Sequence, residues 1–395
     1  MGRLPASCNI LVVGAGPAGS ACAQRLAAAG REVLLVDQHA FPRDKTCGDG
    51  LIPDAHEALR DIGALDEVMA AARPVSHVSC FAPRGGRVDV AGTLAVLPRR
   101  QLDHILYRAA LRAGATAAPP ARFEAPWIEG GRVVGATLTV AGVAQQVRAA
   151  TVVMATGAAM APMIAAELCE RRSPSGVALR GYIRHDGLRD PVTTLQIVWH
   201  KRLAGGYGWI FPAPGGLYNI GAGYTGSFSA RSRNPREMFA AFAELHAPAR
   251  ALLDGGQWVG ELKGAPLRCS LTGARWSRPG LLAIGEAIGS TYAFTGEGIG
   301  KAMRTGLLAA DALLAHADDA AQRSAYEATL RALKPRFDLY QKAEHVNRRP
   351  WLTDLVIWRA RKSPRILRRM SGVLEETQNP GRLLSWRGIG KLLTE

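Results

Sequence analysis

Gly14-Ala15-Gly16-Pro17-Ala18-Gly19 follows the apolar run Asn9–Val13 and opens an alanine-rich stretch, 18–29, that Gly30 closes. In such a turn between strand and helix, the first glycine permits the tight bend and the second lets backbone approach a pyrophosphate. The third lets the helix pack closely on the strand. A helix start adds free N–H groups and the positive end of its dipole, so Gly14, Gly16, Pro17, Ala18 and Gly19 are expected at phosphates. Val33–Val36 reads as the next buried strand. Asp37 ends it 23 residues after Gly14, close to the ~20 expected of a carboxylate that accepts ribose hydroxyls, with Gln38 beside it. Strand, turn, helix and acid agree on a dinucleotide, without saying which.

A second glycine-bearing segment decides between dinucleotides. It runs Leu281-Leu-Ala-Ile-Gly285-Glu286, then Gly289, then Thr295-Gly296-Glu297-Gly298-Ile299-Gly300, ahead of a helix at 298–315. A strand-end acid beside a glycine, here Gly285-Glu286, can hold ribityl hydroxyls. Exposed amides around Gly296, Gly298 and Ile299, with a helix dipole behind them, can face the pyrimidine edge of a flavin, where negative charge develops on reduction. FAD is therefore the expected cofactor. A third piece, Arg99-Arg-Gln-Leu-Asp103, opens a helix at 100–113 with Leu102, Ile105, Leu106 and Ala109 on one face. Arg99 fits a cofactor-side anchor, and the segment equally fits an ordinary amphipathic helix start.

The elements that must position these residues alternate along the chain. Residues 53–72 read as helix, 75–96 as short alternating strands and Thr151–Met154 as a buried strand. From 176 to 224 the pattern turns antiparallel, with Thr194–Trp199, Gly208–Phe211 and Leu217–Ile220, the last two joined by Pro214-Gly215-Gly216. The expectation is an α/β protein in three parts. A Rossmann-type (glutathione reductase-like) FAD-binding domain is assembled from 1–74, 97–165 and 271–320; an inserted antiparallel β-sheet substrate domain comprises 75–96 and 166–270; a basic helical C-terminal region covers 321–395. Tyr207, Trp209 and Phe211 alternate with Gly208 and Ile210, so all three share one face of a strand. They suit a wall along an apolar substrate tunnel, and equally a packed sheet core.

Bulk composition bounds the rest. Of 395 residues, 48% are hydrophobic and 21% charged, as in a folded globular protein. Cys8, Cys22, Cys47, Cys80, Cys169 and Cys269 contain no C-x-x-C pair, which argues against a metal site or a disulfide framework and for reduced thiols in the cytoplasm. Neither a signal peptide nor a membrane-spanning run is expected. The net charge is +16, and residues 331–395 carry 15 Lys+Arg against 6 Asp+Glu. A solvated basic face accounts for this, as does attraction to an anionic membrane surface, an acidic substrate head group or an acidic redox partner. Nucleic acid is not an expected partner, because no nucleic-acid-binding module accompanies the charge.

Together the three motifs resemble the flavoprotein monooxygenase superfamily, with the hydroxybenzoate hydroxylase fold. Within it, Phe41-Pro-Arg-Asp-Lys45-Thr-Cys47-Gly48-Asp49-Gly50 and Tyr207-Gly-Trp-Ile-Phe-Pro212 are similar to the P-x-x-K-x-C-G-G/D-G and Y-x-W-x-F-P segments of the geranylgeranyl reductase family. The resemblance covers roughly residues 8–315, and the segment after 320 adds nothing to it. It implies that Lys45, Gly48, Asp49 and Gly50 join the cofactor site, with Cys47 at the flavin face. Two departures stand out: Gly285-Glu286 replaces the usual Gly-Asp, and Ala155-Thr156-Gly157 stands where an Asp-Gly pair is common, leaving Thr156 and Gly157 as candidate contacts.

The resemblance implies an FAD-dependent oxidoreductase that reduces carbon–carbon double bonds of a large apolar, isoprenoid-like substrate by hydride transfer from flavin N5. Cys47, Tyr207 and Trp209 are the candidate catalytic residues, and Tyr207, Trp209 and Phe211 the candidate substrate contacts. A thiol at Cys47 could donate a proton or form a transient adduct, or simply fill space beside the ring. No second dinucleotide fingerprint is present, so electrons are expected from transiently docked NAD(P)H or a protein donor. The alternatives are an FAD-dependent monooxygenase and a flavin electron carrier to quinone. The flavin-halogenase W-x-W-x-I-P segment is absent, Tyr207 standing where its first Trp would be. Trp351, Leu355 and Trp358, at i, i+4 and i+7 beside Arg359, Arg361 and Lys362, match a helix lying on an anionic membrane as a peripheral contact.

Overall fold

The structure, a computed structural model, describes residues 3–226 and 234–378. Two sheets organise them. In the first, the strand order is Ser277–Arg278, Leu281–Ala283, Val143–Met154, Ser7–Val13, Val33–Val36, Thr116–Ala117. All neighbours in that order are parallel except the first pair. Val33–Val36 is buried throughout, as a parallel strand covered on both faces must be. The strand Val143–Met154 overruns this core and pairs antiparallel with Arg132–Val140, which pairs with Ala121–Glu129. That hairpin escapes the sequence reading because Ala121–Glu129 is largely half-exposed and carries Pro126, which argues against a strand.

Helices Pro17–Ala28 and Ile299–Ala315 lie side by side, and this contact unites the two glycine motifs. A Cβ at Gly306 would stand 2.2 Å from the Ala18 carbonyl oxygen, so the two backbones meet at a separation only glycine allows.

The second sheet runs Gln257–Trp258, Gly176–Arg184, Leu217–Thr225, Gly206–Pro212, Leu195–Val198, Arg73–Phe81, Arg87–Val96, Gly50–Leu51, with Lys263–Leu267 also pairing Gly176–Arg184. Only Leu195–Val198 and Arg73–Phe81 run parallel. The region expected as short strands is thus two long ones, Arg73–Phe81 and Arg87–Val96. The helix expected over 53–72 breaks into Pro53–Asp61 and Leu65–Ala71, with Gly63 at φ +65° between them. Gly215 and Gly216, at φ +68° and +67°, make the hairpin turn between Gly206–Pro212 and Leu217–Thr225. One face of this sheet packs under helices Pro235–Leu245 and Ala247–Gly255, burying Ile210, Ile220, Phe239 and Phe242.

The tail is helical: Asp319–Ala343, His345–Arg348, Pro350–Lys362 and Pro364–Leu374; residues 379–395, part of the basic region, lie outside the described residues. Leu352, Val356, Ile357, Ala360 and Ile366 form one core with Val78, Val88, Val90 and Leu94 of the second sheet. Its apolar face packs the tail against the second sheet.

Candidate active site

A cavity of about 810 Å³ is lined by both glycine motifs, the aromatic strand and the tail. It collects Gly14, Gly16, Pro17, Ala18, Asp37, Gln38, Lys45, Cys47, Gly48, Asp49 and Gly50 with Arg99, Thr156, Gly157, Glu286, Gly296, Gly298 and Ile299, and also Tyr207, Trp209 and Phe211. Two of the singled-out residues stand behind the wall. A Cβ at Gly19 would fall 1.8 Å from the Gly14 carbonyl oxygen. One at Gly285, φ +67°, would fall 2.7 Å from Ala18 Cβ, and the Gly285 amide donates to Thr305 Oγ1 at 2.8 Å.

At the first turn, Asp37 accepts from the Ala15 and His39 amides at 2.9 and 3.0 Å. The buried Asp103 carboxylate accepts from Arg99 at 2.6 and 2.8 Å and from Arg43 at 2.9 Å. A Cβ at Gly16 would stand 3.5 Å from Arg43 Nη2 and 3.9 Å from Arg99 Nη2. Two guanidiniums therefore face the bare turn, and helix Pro17–Ala28 begins there without a side-chain cap. This donor set matches a pyrophosphate in charge and geometry. Arg43 was not singled out from sequence; its signal was a cation in the segment just after Asp37.

The Cys47–Gly50 turn is held from behind. Asp49, fully buried at φ +66°, accepts from Tyr182 Oη at 2.5 Å and Asn219 Nδ2 at 2.7 Å. Asn219 Nδ2 also reaches the Cys47 carbonyl at 2.8 Å, and its Oδ1 accepts from Trp209 Nε1 at 2.9 Å. Arg180 donates to the Lys45 and Cys47 carbonyls at 2.7 and 3.3 Å and to Asp44 at 2.9 Å. Burial pushes the Asp49 carboxyl up to about 6, against Arg180, Tyr182 and Asn219, which favour its ionised form. Burial also raises the Cys47 thiol, with Arg99 opposing and Asp49 adding. Neither Arg180 nor Asn219 carried a local sequence signal.

Glycines admit the aromatic wall. A Cβ at Gly48 would stand 3.2 Å from the Phe211 ring, and one at Gly221 2.2 Å from the Trp209 ring. Tyr207 Oη donates to the Thr295 carbonyl, tying this wall to the second glycine loop. That loop closes on itself through Tyr292 N to the Glu297 carbonyl and Gly296 N to the Tyr292 carbonyl, both 2.9 Å. Asn347 braces it from the tail: its amide donates to the Phe294 carbonyl at 3.0 Å and accepts from Trp199 Nε1 at 2.9 Å. Val346, Thr353, Val356, Ile357, Met370 and Leu374 complete the apolar end of the lining. The segment after 320, read from sequence only as a basic helical region and a membrane contact, thus supplies part of the site.

Glu286 accepts from the Arg268 amide at 3.4 Å, and burial raises its carboxyl, with Lys45 opposing. Phosphate turn, guanidinium pair and second loop on one cavity fit an FAD, which would supply two-electron hydride chemistry there.

Comparison with known proteins agrees. Residues 7–165 match the FAD binding domain family. A menaquinone reductase of Mycolicibacterium smegmatis is 30% identical over 330 residues, covering 77% of this chain and 75% of the relative. Digeranylgeranylglycerophospholipid reductase 1 of Methanopyrus kandleri is 29% identical, covering 77% and 79%. The crystal structure of a geranylgeranyl bacteriochlorophyll reductase-like protein from Thermoplasma acidophilum superposes with TM-score 0.68 at 23% identity over 98% and 96% of the chains, a likeness of fold. With its cofactor turn, its aromatic strand and these relatives, the chain belongs to the geranylgeranyl reductase family of FAD-dependent oxidoreductases, on the flavoprotein monooxygenase fold.

Proposed function

We propose that this oxidoreductase saturates carbon–carbon double bonds of a large apolar, isoprenoid-bearing molecule, with electrons delivered to FAD by transiently docked NAD(P)H or a protein donor. The observation that carries this is the shared cavity: residues suited to hold the cofactor and the apolar wall of Phe211, Val356, Ile357 and Leu374 line one space. The relatives' names point the same way, menaquinone and digeranylgeranylglycerophospholipid both being isoprenoid lipids. In this reading Gly14 to Gly19, Arg43 and Arg99 hold the pyrophosphate, Asp37 the ribose, Glu286 the ribityl chain and Gly296 to Ile299 the pyrimidine edge. Cys47 and Tyr207 flank the reacting region. Trp209, its indole N–H bound to Asn219, offers only its ring face.

The reading extends to a membrane. Helix Pro350–Lys362 turns Leu352, Val356 and Ile357 inward and leaves Trp351 and Trp358 52% and 47% exposed. Leu355 is half-buried, so the outer face rests on the two tryptophans. Lys362 Nζ lies 4.5 Å and Arg359 Cζ 5.6 Å from the Trp358 ring centre. Among the described residues no helix is long and apolar enough to cross a membrane. A cytoplasmic protein resting peripherally on anionic lipid fits this face. Flotation with anionic but not neutral vesicles, lost on Trp351→Ala/Trp358→Ala, supports the contact; equal flotation of both proteins overturns it.

The function is tested with purified FAD-loaded protein, menaquinone in detergent and NADPH. Mass spectrometry is expected to show the side chain gaining hydrogen pairs without oxygen. Substrate-dependent oxygen uptake with an oxygen atom in the product makes it a monooxygenase. Reduction of the quinone ring with an unaltered side chain makes it an electron carrier.

A further inference from the structure

Isolated double bonds accept hydride poorly, so a reductase of this kind needs an acid that delivers a proton to one carbon as hydride reaches the other. Most acids lining the cavity are engaged elsewhere. Asp37 serves the first turn, Asp44 pairs with Arg180 and Lys263, Asp49 is bound by Tyr182 and Asn219, and Glu286 turns to the Arg268 amide. Glu124 accepts from Arg122 and Thr139. Glu297 makes no ion pair among the described residues, and its carboxyl is touched only by the Thr295 hydroxyl of its own loop. Resting on the reductase reading, we propose that Glu297 is the acid that protonates the substrate.

Its position supports the role. Glu297 lies between Gly296 and Gly298, the residues assigned to the flavin pyrimidine edge, and lines the same cavity as Tyr207 and Phe294. Its backbone is fixed by the bond from Tyr292 N, and the neighbouring Thr295 carbonyl by Tyr207. The loop is therefore pinned at both sides of the carboxyl.

The charges behind it explain why this acid keeps its proton. Lys301 forms ion pairs with Asp54, on the helix Pro53–Asp61, and with Glu376, at the end of the tail. Arg336, on Asp319–Ala343, pairs with Glu376 at 3.1 Å. Two cations thus serve three acids once Glu297 is counted. The remaining groups facing the cluster are the phenols of Tyr207, Tyr292 and Tyr340, the last two stacked at 3.8 Å. Burial pushes the Glu297 carboxyl up to about 7, with Lys301 opposing and Asp54 and Glu376 adding. By contrast Cys47, whose thiol burial raises above its ordinary 9.0, is a weaker acid at neutral pH.

The step balances. One carbon of the double bond receives a hydride from the reduced cofactor and forms a C–H bond with both electrons. The other receives the Glu297 proton, and the π bond is consumed. Glu297 is left as carboxylate and takes a proton from solvent before the next turnover; the oxidised cofactor is re-reduced by the nicotinamide or protein donor.

The test compares Glu297→Gln, Glu297→Asp and Cys47→Ser in the FAD-loaded full chain, with menaquinone as substrate and dithionite as reductant. E297Q is expected to slow side-chain saturation about 10²- to 10⁴-fold. Its flavin spectrum, and the change menaquinone induces in that spectrum, should remain. E297D should recover part of the rate, and wild-type turnover should fall as pH rises through about 7. Infrared difference spectroscopy without turnover should show a carboxyl losing its proton near that pH in wild type and none in E297Q. Wild-type rates in E297Q, loss of the reaction in C47S alone, or no carboxyl titrating near neutrality overturns the proposal. If wild type saturates no double bond, the reductase reading fails and this role with it, whereas the infrared titration still shows whether Glu297 holds the proton.

Discussion

Asn219 Nδ2 stands 2.7 Å from Asp49 Oδ2, a contact between residues 170 apart in sequence and both fully buried. Through it the aromatic strand grips the turn that carries Cys47, because the same amide holds the Cys47 carbonyl and the Trp209 indole. Asn219→Ala leaves three buried polar groups short of a partner, at roughly 1–3 kcal/mol for each group truly orphaned. The expected loss is about 3 kcal/mol in urea denaturation, with weakened FAD retention. Stability within about 0.5 kcal/mol of wild type, inside the scatter of neutral surface changes, would show that the turn is held by other means.

The same pair sets a pH dependence. Asp49 keeps its proton up to about 6 in the folded protein but releases it above its ordinary 3.8 when unfolded. Between those values the folded state binds more protons, so stability rises as pH falls, at most by about 1.4 kcal/mol per pH unit. Asp49→Asn abolishes that contribution. As pH falls from 6 to 4 the stability of wild type should rise relative to that of D49N in urea denaturation, and a relative fall overturns the sign.

Gly19 tests packing apart from ligand contact. It lies outside the cavity lining, yet a Cβ there would fall 1.8 Å from the Gly14 carbonyl oxygen. Gly19→Ala must push the helix Pro17–Ala28 off its strand and open the phosphate turn. The variant is expected to purify colourless, or to lose FAD on gel filtration while wild type keeps it. A yellow G19A with unchanged FAD affinity would place the cofactor elsewhere.

What the sequence disclosed follows from how far each signal reaches. The two glycine motifs are local patterns of turn and helix start, so Gly14 to Gly19 and Gly285 to Ile299 are legible from their own neighbours. Arg180, Asn219 and Asn347 act on partners more than 50 residues away and have no local pattern to betray them. The tail is ambiguous for a different reason. Helix Pro350–Lys362 is apolar on two faces, Leu352, Val356 and Ile357 inward and Trp351 and Trp358 outward, so its periodicity alone does not say which side packs.

Arg43 is the candidate pyrophosphate contact that spacing did not reveal. It pairs with Asp103 at 2.9 Å and lies 3.5 Å from Asp37, two carboxylates that aim it over Gly16. Hydrogen bonds to charged groups contribute about 1.5–3 kcal/mol, so Arg43→Ala should weaken FAD about 10- to 150-fold in fluorescence titrations. Arg43→Lys keeps the charge but loses the fork and should fall between. Equal affinity in wild type and R43A would remove Arg43 from the site.

Lys301 decides whether the tail is fastened or merely adjacent. Its ammonium, 8% exposed, joins Asp54 of one helix to Glu376 beyond the last, and Arg336 supports only the second of these. Removing one partner of a buried ion pair costs about 3–5 kcal/mol because the other charge stays buried and unmatched. Lys301→Met should lose that much in urea denaturation and expose residues 350–376 to faster proteolysis. The stranded charge is chiefly that of Asp54, so Asp54→Asn/Lys301→Met should be more stable than K301M alone, a coupling only direct neighbours show. If instead the two changes add, or K301M unfolds like wild type, the ion cluster is not what holds the tail across the cavity, and the apolar contacts of Leu352, Val356 and Ile357 hold it unaided.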